Sequence, residues 1–268
     1  MNPLYSILIG IVQGISEWLP ISSKTQVLLT SEFLLGISVT VAYTFGLFME
    51  MGSIGSAAIY FRNDIREVLR DKNLLLFLVI VTLFTGLVGV PLYILSEKIL
   101  STVSYNAGIP MLILGIALII DGIYIKSSRN KIIPKNSENV KLRDMIIIGI
   151  AQGLAALPGV SRSGITVSTM LFLGYSPENA FRYSYLAYIP ASLGAVGTTL
   201  LFTKHNINEI FNILGYEGIL LAVFSSLVTG IITISFLLKI AKKSSVYVID
   251  FILGIIAITF SSLLILIS

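Results

Sequence analysis

Each half of this chain carries one copy of the same short polar pattern inside an otherwise apolar segment. Each copy contains Gln-Gly, followed by a proline and then by two serines. The first copy comprises residues 9–14 with Pro20, Ser22 and Ser23, and the second, 139 residues later, comprises residues 148–153 with Pro158, Ser161 and Ser163. A duplicated polar loop in a hydrophobic chain predicts two halves that share one fold.

Long uncharged stretches predict an integral membrane protein. Hydrophobic residues make up 55% of the 268 residues and charged residues 12%, with a mean hydropathy of +0.92, whereas roughly a quarter of the residues in an average soluble domain are charged. A helix needs about 20 apolar residues to cross the hydrocarbon core. The stretches of about that length are 37–61, 74–96, 99–120, 183–203, 218–238 and 251–268. Only Glu50 interrupts the first of them, so we predict six spanning helices.

Two further apolar segments, 3–36 and 145–174, contain the polar pattern and have a proline near the middle. Pro20 and Pro158 leave pieces of about 15 residues on either side, which are too short to span a bilayer. We therefore predict two re-entrant helical hairpins. Irregular backbone at this depth is tolerated only where protein or a water-filled cavity surrounds it, so both bends are candidate site elements.

The distribution of basic residues predicts the orientation in the membrane. Thirteen Lys and Arg lie in three alternate polar segments, and the other connections contain two. The basic segments are 62–72, 126–143 and 239–243, and the other connections carry Lys98 and Lys204. The positive-inside rule then places the linker in the cytoplasm and both termini outside, with the two hairpins entering from opposite sides. The N-terminus lacks the features of a removable signal peptide.

The repeat predicts the domain organisation. We expect a first repeat over residues 1–126, a cytoplasmic linker over 127–143 and a second repeat over 144–268, each repeat with one hairpin and three spanning helices. An odd number of crossings inverts one copy relative to the other, and such repeats place a site at their interface near the midplane. The predicted fold class is an all-α integral membrane protein with six transmembrane helices plus two re-entrant helical hairpins in an inverted-topology repeat.

The serines that follow each proline lie where a second half-helix begins. Backbone N–H groups and the positive end of the helix dipole are available there, and two such helix starts facing each other would bind an anion. These serines are Ser22 and Ser23 in the first half and Ser161 and Ser163 in the second. The glycines of both copies form G-x-x-x-G pairs, for which close helix packing is the expected role.

Arg162 is the strongest indication of an anion site. Seventeen uncharged residues separate it from Asp144, so this charge needs a buried partner, and its planar fork suits phosphate. A structural ion pair with Glu17 or Glu50 is the alternative. Gln13 and Glu17 are four residues apart on one helix face and would line the same cavity.

The sequence is compatible with more than one role for several other polar residues. Glu50, near the middle of a predicted spanning helix, is a candidate partner for the arginine, a metal ligand or a base. Lys24, in the first bend, faces either outer water or a phosphate. His205, the single histidine, is predicted to be solvated in an outer loop, and Asp121 and Asp250 are predicted to pair with basic residues at the membrane interface.

These motifs resemble those of the undecaprenyl-diphosphate phosphatase family, also called the bacitracin-resistance proteins. The matching stretches are residues 13–23, 51–53, 60–62, 158–164, 182–185 and 190–191. The resemblance implies the fold predicted above and a membrane hydrolase that removes the terminal phosphate from a C55 polyprenyl diphosphate. A divalent cation, Mg²⁺ or Ca²⁺, would assist, and the reaction would recycle the carrier lipid.

The resemblance also implies roles for individual residues. Gln13 and Glu17 match the family's Glu/Gln-x-x-x-Glu pair, Ser23 its nucleophile or phosphate ligand, and Ser161 with Arg162 its diphosphate clamp. The implied sets are Glu17, Ser23 and Arg162 for catalysis, Gln13, Ser22, Gln26, Ser161, Ser163 and Gly164 for substrate binding, and Glu17 and Glu50 for the metal.

The chain departs from the family pattern immediately after the first pair of serines. Family members usually continue with Thr-Gly-His, whereas this chain has Lys24-Thr25-Gln26. Gln26 can hydrogen-bond but cannot exchange a proton near neutral pH. Either Glu17 acts as the base, a metal-bound water is the nucleophile, or the chain has lost or changed the activity.

Other classes of protein compete with this interpretation. A secondary transporter or polyprenyl-phosphate flippase shares the inverted repeat and the midplane anion site, whereas an ion channel or a purely structural protein leaves Arg162 and the serines unexplained. Lipid phosphatases with a histidine nucleophile need at least two histidines, and this chain has one. The expected partners are a polyprenyl diphosphate and the bilayer of the cell membrane, with no nucleic acid. A second copy of the chain is a further candidate partner, and the site is expected on the outer side.

Overall fold

Helices make up nearly all of the part of the chain that the computed structural model describes, which is residues 3–19, 22–68, 70–102, 108–129, 140–157, 160–175 and 177–241 with eight residues between 247 and 262. Its helices are α1 (Pro3–Ser16), α2 (Ser23–Leu35), α3 (Val39–Phe48), α4 (Glu50–Tyr60), α5 (Arg62–Val68), α6 (Lys72–Thr102), α7 (Gly108–Arg129), α8 (Leu142–Leu154), α9 (Arg162–Phe172), α10 (Pro177–Phe202) and α11 (Lys204–Ala241). The predicted all-α class is confirmed for these residues. Outside them lie Pro20, Pro158, the side chain of Asp121, Asp250 and most of the predicted span 251–268.

Three helices of the described part are long and apolar enough to cross a membrane, which fits the predicted multi-pass protein. They are Lys72–Ile99, Asn179–Phe202 and Lys204–Phe236. The helix predicted over 99–120 is displaced, because α6 continues to Thr102 and α7 begins only at Gly108. Glu97 and Lys98 end the uncharged stretch 74–96, but charges are tolerated near the ends of membrane helices, so α6 continues past them.

The span predicted over 37–61 consists of two helices, α3 and α4, that meet at Met49. Met49 keeps helical torsion angles (φ −65°, ψ −14°), but the hydrogen-bond ladder changes there. The Met49 N–H donates to the Phe45 carbonyl four residues back at 2.8 Å, whereas the Gly52 N–H donates to the Met49 carbonyl three residues back at 3.2 Å. The structure thus differs from the uninterrupted helix that the sequence predicts, and the irregularity places Glu50 in the first turn of α4.

A glycine divides α11 into two arms, residues 204–214 and 216–241. Gly215 has torsion angles of φ 71° and ψ 169°, a conformation that glycine adopts without steric penalty. His205 lies exposed in the first turn of α11, so it is solvated as predicted but is helical rather than in a loop. The reason is an apolar stripe at helical spacing on the first arm, Ile207, Ile210 and Leu214, which is buried in the core.

The two copies of the polar pattern form two hairpins of short helices. α1 contacts α2, and α8 contacts α9. The four helices have 14, 13, 13 and 11 residues, so each is at most about 21 Å long at 1.5 Å per residue. None of the four reaches the ~30 Å of a hydrocarbon core.

Each hairpin packs against a long helix of the other half. α1 lies along α11, and α8 lies along α6. Glycine permits the close approach, since a Cβ on Gly14 would lie 2.6 Å from the Ser226 carbonyl oxygen and a Cβ on Gly149 would lie 2.8 Å from the Val81 carbonyl oxygen. The helix packing expected for the G-x-x-x-G pairs is confirmed.

Polar side chains are buried and large apolar side chains are exposed, as expected for a protein with lipid around it. Buried polar residues include Gln13, Glu17, Ser23, Lys24, Glu50, Gln152 and Ser161. Exposed apolar residues include Leu83 and Leu87 on α6 and Leu220, Phe224 and Phe236 on α11. The interior of the molecule is therefore where a polar site is found.

The glycine contacts predict how the hairpins respond to added volume. Gly14→Ala should lower stability by about 1–3 kcal/mol, because the new methyl group overlaps α11. Gly197→Ala is the matched control, since a Cβ there meets nothing within 4 Å. Thermal unfolding of both variants in detergent checks this, and equal melting temperatures would contradict the account.

Candidate active site

Arg162, the first residue of α9, lies at the centre of the buried polar residues. Its guanidinium group donates to the carboxylate of Glu17, to the carboxylate of Glu50 at 3.3 Å and to the hydroxyl of Ser192. It also lies 3.9 Å from the centroid of the Tyr188 ring, a cation–π contact. The Arg162 side chain is 10% exposed, so these groups replace most of its water. Arg162 therefore fits both of its predicted roles. It forms an ion pair with each of the two acids, and it also lines a cavity.

Glu17 joins the two helix starts that the repeat places in equivalent positions. Ser23 and Arg162, 139 residues apart, are the first residues of α2 and α9. One Glu17 oxygen accepts from Arg162, and the other accepts from the Ser23 hydroxyl at 2.7 Å and from the Gln13 amide at 2.7 Å. The predicted residues Gln13, Glu17, Ser23, Glu50 and Arg162 thus form one connected network.

The repeat also explains how α4 and α10 contribute. Ser53 on α4 and Ser192 on α10 occupy equivalent positions. Ser53 accepts from the Gln13 amide at 3.1 Å, and Ser192 accepts from Arg162. Each half therefore supplies one small hydroxyl residue that supports a longer polar side chain of the site.

The serines of the second hairpin stabilise its bend. The Ser161 hydroxyl accepts from the Gly164 N–H at 3.2 Å, which caps the start of α9, and lies 3.3 Å from the Ser163 hydroxyl. Ser163 donates to the carbonyl of Leu19 in the first bend at 3.1 Å. These contacts join the two bends and fix the start of α9.

The first half also satisfies two carbonyl groups immediately after the end of α8. The ammonium group of Lys24 donates to the Ala155 carbonyl, and the hydroxyl of Tyr43 donates to the Ala156 carbonyl. Carbonyl groups at the end of a helix have no partner within that helix, so such donors are needed where the end is buried. Lys24 is therefore not exposed to outer water, which was one of its two predicted environments.

The first bend has one strained residue at its end. Ser22 has torsion angles of φ 56° and ψ 83°, and within the described residues it is the one non-glycine residue with positive φ. Its hydroxyl lies 3.0 Å from that of Thr25. Strained backbone of this kind is concentrated at functional sites.

A cavity of about 150 Å³ opens from this network between α6 and α10. Its charged end contains Lys24, Glu50 and Arg162. Small residues dominate the walls beyond, among them Gly86 and Gly89 on α6 and Ala191, Gly194 and Ala195 on α10. A water-sized cavity on Arg162 is lined by Glu17, Trp18, Ser163, Ser184, Tyr185 and Tyr188. Gln26, a predicted substrate ligand, is half-buried and lines neither cavity.

Two residues of the site are not among those predicted from the sequence. The repeat could have indicated Ser192, because it aligns with Ser53. Nothing in the sequence indicates Tyr188, since an aromatic residue in an apolar helix usually belongs to the core. Its hydroxyl donates to the Glu50 carbonyl at 3.4 Å, at the irregularity between α3 and α4.

The donor atoms near Glu17 are compatible with a hard divalent cation. The described residues contain no cluster of three or more Asp, Glu, His or Cys side chains, so an ion would rely on few protein ligands. The Gln13 side-chain carbonyl oxygen is buried and has no hydrogen-bond partner. An amide oxygen next to a carboxylate, completed by substrate phosphate oxygens, is the type of site that Mg²⁺ uses.

The fold and the site define the class of this protein: an all-helical, multi-pass membrane protein with a buried arginine–carboxylate centre where two helices begin. The chain belongs to the bacitracin resistance protein BacA family, whose sequence model matches residues 6–259.

Curated relatives cover the whole chain. It is 63% identical over 268 residues to a protein of Saccharolobus islandicus strain Y.N.15.51, and 62% identical over 267 residues to one of Sulfurisphaera tokodaii, with 100% of both chains covered in each comparison. It is 41% identical over 258 residues to a protein of Pyrobaculum aerophilum, with 94% of each chain covered. Each of these relatives is named undecaprenyl-diphosphatase. The family resemblance stated from the motifs is confirmed.

The buried network predicts an unusual stability effect of losing one charge. Arg162→Met leaves the carboxylates of Glu17 and Glu50 buried without a cation, which should cost about 3–5 kcal/mol. Glu50→Gln in the same chain should recover part of that loss. Arg182→Met is the control, since the pairs of Arg182 with Asp64 and Glu67 are more exposed and exposed pairs contribute about 0–1 kcal/mol.

Melting temperatures in detergent measure these differences. A loss in Arg162→Met no larger than in Arg182→Met would show that the central network does not carry buried charge.

Proposed function

We propose that this chain is a membrane phosphatase that converts undecaprenyl diphosphate to undecaprenyl phosphate and inorganic phosphate, and so recycles the carrier lipid. The observation that carries the proposal is the Glu17 carboxylate held between the Arg162 guanidinium and the Ser23 hydroxyl. A base, a nucleophile and an anion-binding cation are thereby in direct contact where two helices begin. The names of the relatives support hydrolysis over transport.

The cavity has features that suit both the diphosphate and the isoprenoid tail of this substrate. A diphosphate would enter the charged end, where Arg162 and the N–H groups at the start of α9 bind its oxygens. The isoprenoid tail would lie along the small-residue walls between α6 and α10 and would extend from there into the lipid. A head group bound inside and a tail directed outward suit a substrate that never leaves the bilayer.

The chain's own residues account for each proton and bond of the proposed reaction. A phosphate bound to Arg162 weakens the Arg162–Glu17 pair, so the carboxylate becomes available as a base. Glu17 takes the proton of Ser23 while the Ser23 oxygen attacks the terminal phosphorus, and the bond from that phosphorus to the bridging oxygen breaks. The lipid monophosphate leaves with the proton from Glu17.

A second step then regenerates the enzyme. Water attacks the phosphorylated Ser23, and Glu17 takes a proton from that water. The bond between phosphorus and the Ser23 oxygen breaks, Ser23 recovers its proton, and inorganic phosphate departs. In this scheme Glu17 supplies the proton transfer that the family histidine would otherwise supply, which removes the need for a titrating group at Gln26.

A divalent cation, Mg²⁺ or Ca²⁺, is part of the proposal. Glu17, Glu50 and the free carbonyl oxygen of Gln13 would hold it. When bound, it would neutralise charge on the phosphate oxygens. The remaining predicted ligands, Ser22, Gln26, Ser161, Ser163 and Gly164, would act by shaping the bends around the phosphate.

The placement in the membrane is also proposed. Six spanning helices, two hairpins that insert without crossing, and an inverted repeat follow from the segment lengths and the positive-inside rule. Both termini and the site would face the outer side of the cell membrane. A homodimer remains a prediction.

Phosphate release tests the assignment directly. Purified protein in detergent, where no compartments exist, should release phosphate from undecaprenyl diphosphate in the presence of Mg²⁺ or Ca²⁺. Arg162→Lys keeps the charge but loses the planar fork, so its kcat/KM should fall by about 100-fold or more. Arg182→Lys, outside the site, should retain normal activity. Near-normal hydrolysis by Arg162→Lys, or none by well-folded wild-type protein, would overturn the assignment.

The tail groove predicts a chain-length effect. Gly194→Leu should raise the KM for undecaprenyl diphosphate several-fold but leave the KM for the much shorter farnesyl diphosphate nearly unchanged. The leucine would narrow only the part of the cavity that holds the tail, and the charged end that binds the diphosphate would keep its shape. Gly197→Leu is the matched control, since a Cβ at either glycine meets nothing within 4 Å but only Gly194 lines the cavity. The same KM change for both lipids, or for both variants, would contradict a tail groove between α6 and α10.

A further inference from the structure

Lys24 is a buried cation at the charged end of the cavity. It is the second residue of α2 and is 5% exposed. Its ammonium group donates to the Ala155 carbonyl, and its side chain lines the same cavity as Glu50 and Arg162. The family resemblance assigns nothing to this position, where relatives of the usual pattern have threonine.

The charge of Lys24 lacks an acidic partner in the part of the chain that is described. The ion pairs found there within 4.0 Å belong to Arg162 and Arg182. The two nearby acids of the site, Glu17 and Glu50, are both bound to Arg162. A buried ammonium group with no acid bound directly to it is unfavourable, and a neutral carbonyl compensates its charge only in part.

The ammonium group retains hydrogen-bonding capacity toward the cavity. It has three donors, and the Ala155 carbonyl uses one. The position is also fixed, because α3 passes so close that a Cβ on Gly46 would lie 2.7 Å from the Lys24 carbonyl oxygen. The backbone of Lys24 is therefore held against α3, and because the residue lines the cavity, an anion that enters there meets its charge.

We propose that Lys24 binds the diphosphate group of the substrate as a second cation alongside Arg162. This inference rests on the proposed function and adds a specificity-determining residue to it. Glu17, Glu50, Arg162 and Lys24 together carry no net formal charge. Without Lys24 the protein's own charges at these positions would sum to −1, so the site would bind a diphosphate less tightly. Lys24 thus supplies a positive charge at a position where the usual family pattern has a neutral threonine.

A purely structural role makes a different prediction. If Lys24 only caps the end of α8, its removal should lower the melting temperature without changing affinity for a diphosphate. Lys24→Met keeps the length of the side chain and removes the buried charge, so it should fold. Lys24→Arg restores the charge, and Lys204→Met removes a lysine that is exposed at the start of α11.

Two measurements on the full-length protein in detergent separate these roles. The first is the KM and kcat for phosphate release from undecaprenyl diphosphate, and the second is the rise in melting temperature on adding inorganic diphosphate. In Lys24→Met, we expect the KM to rise by about tenfold or more and the stabilisation by diphosphate to be lost. Lys24→Arg should keep most of both, and Lys204→Met should behave as wild type. A wild-type KM and full stabilisation in Lys24→Met would overturn the inference.

The outcomes also distinguish this inference from the proposed function. If wild-type protein releases no phosphate, the proposed reaction fails. Loss of diphosphate stabilisation in Lys24→Met but not in Lys204→Met would then still support Lys24 as an anion ligand. If wild-type protein is active and Lys24→Met matches it in KM and in stabilisation, only the role of Lys24 fails.

Discussion

The Glu17 carboxylate is the contact on which the rest of the site depends. One of its oxygens accepts from Arg162 at the start of α9 and the other from Ser23 at the start of α2, so a single residue connects the two hairpins. Glu17 can occupy that position only if both bends are brought together in the interior. The cross-packing of α1 on α11 and α8 on α6 does this, and it requires glycine at the contacts. The small residues of the repeat are therefore as necessary for the site as its charged ones.

The repeat supplies the scaffold, and differences between its copies supply the chemistry. Equivalent positions hold Ser23 and Arg162, and equivalent serines on α4 and α10 support Gln13 and Arg162. A symmetric pair of helix starts can bind an anion but offers no direction for a reaction. Replacing one of two equivalent residues by arginine and the other by serine gives one side that binds phosphate and one that can attack it. Duplication followed by divergence at these positions would explain how a chain with two similar halves acquires one site.

Much of this arrangement could be predicted from the sequence, because membrane-buried charge is so unfavourable that its positions are informative. Glu17, Glu50 and Arg162 are predicted in this way, Gln13 and Ser23 follow from the repeated polar pattern, and the structure joins all five in one network. Periodicity and hydropathy could not predict the irregularity at Met49 or the kink at Gly215. The first arm of α11 has an apolar stripe at helical spacing, but it lies outside the long uncharged stretches that indicate spanning helices. Tyr188 was not identifiable because its role comes from lying across Arg162. The environment of Lys24 cannot be predicted from the sequence, because only the fold determines whether a residue in a bend faces water or the interior.

The most direct test of the account is an experimental structure of the protein with a methylene-bridged, non-hydrolysable analogue of undecaprenyl diphosphate. We expect the terminal phosphate to lie on Arg162, within reach of the Ser23 hydroxyl, and the isoprenoid tail to lie between α6 and α10. A diphosphate bound elsewhere, with the Arg162–Glu17 pair intact and Ser23 remote from phosphorus, would contradict the central claim that this pair opens to form the active site.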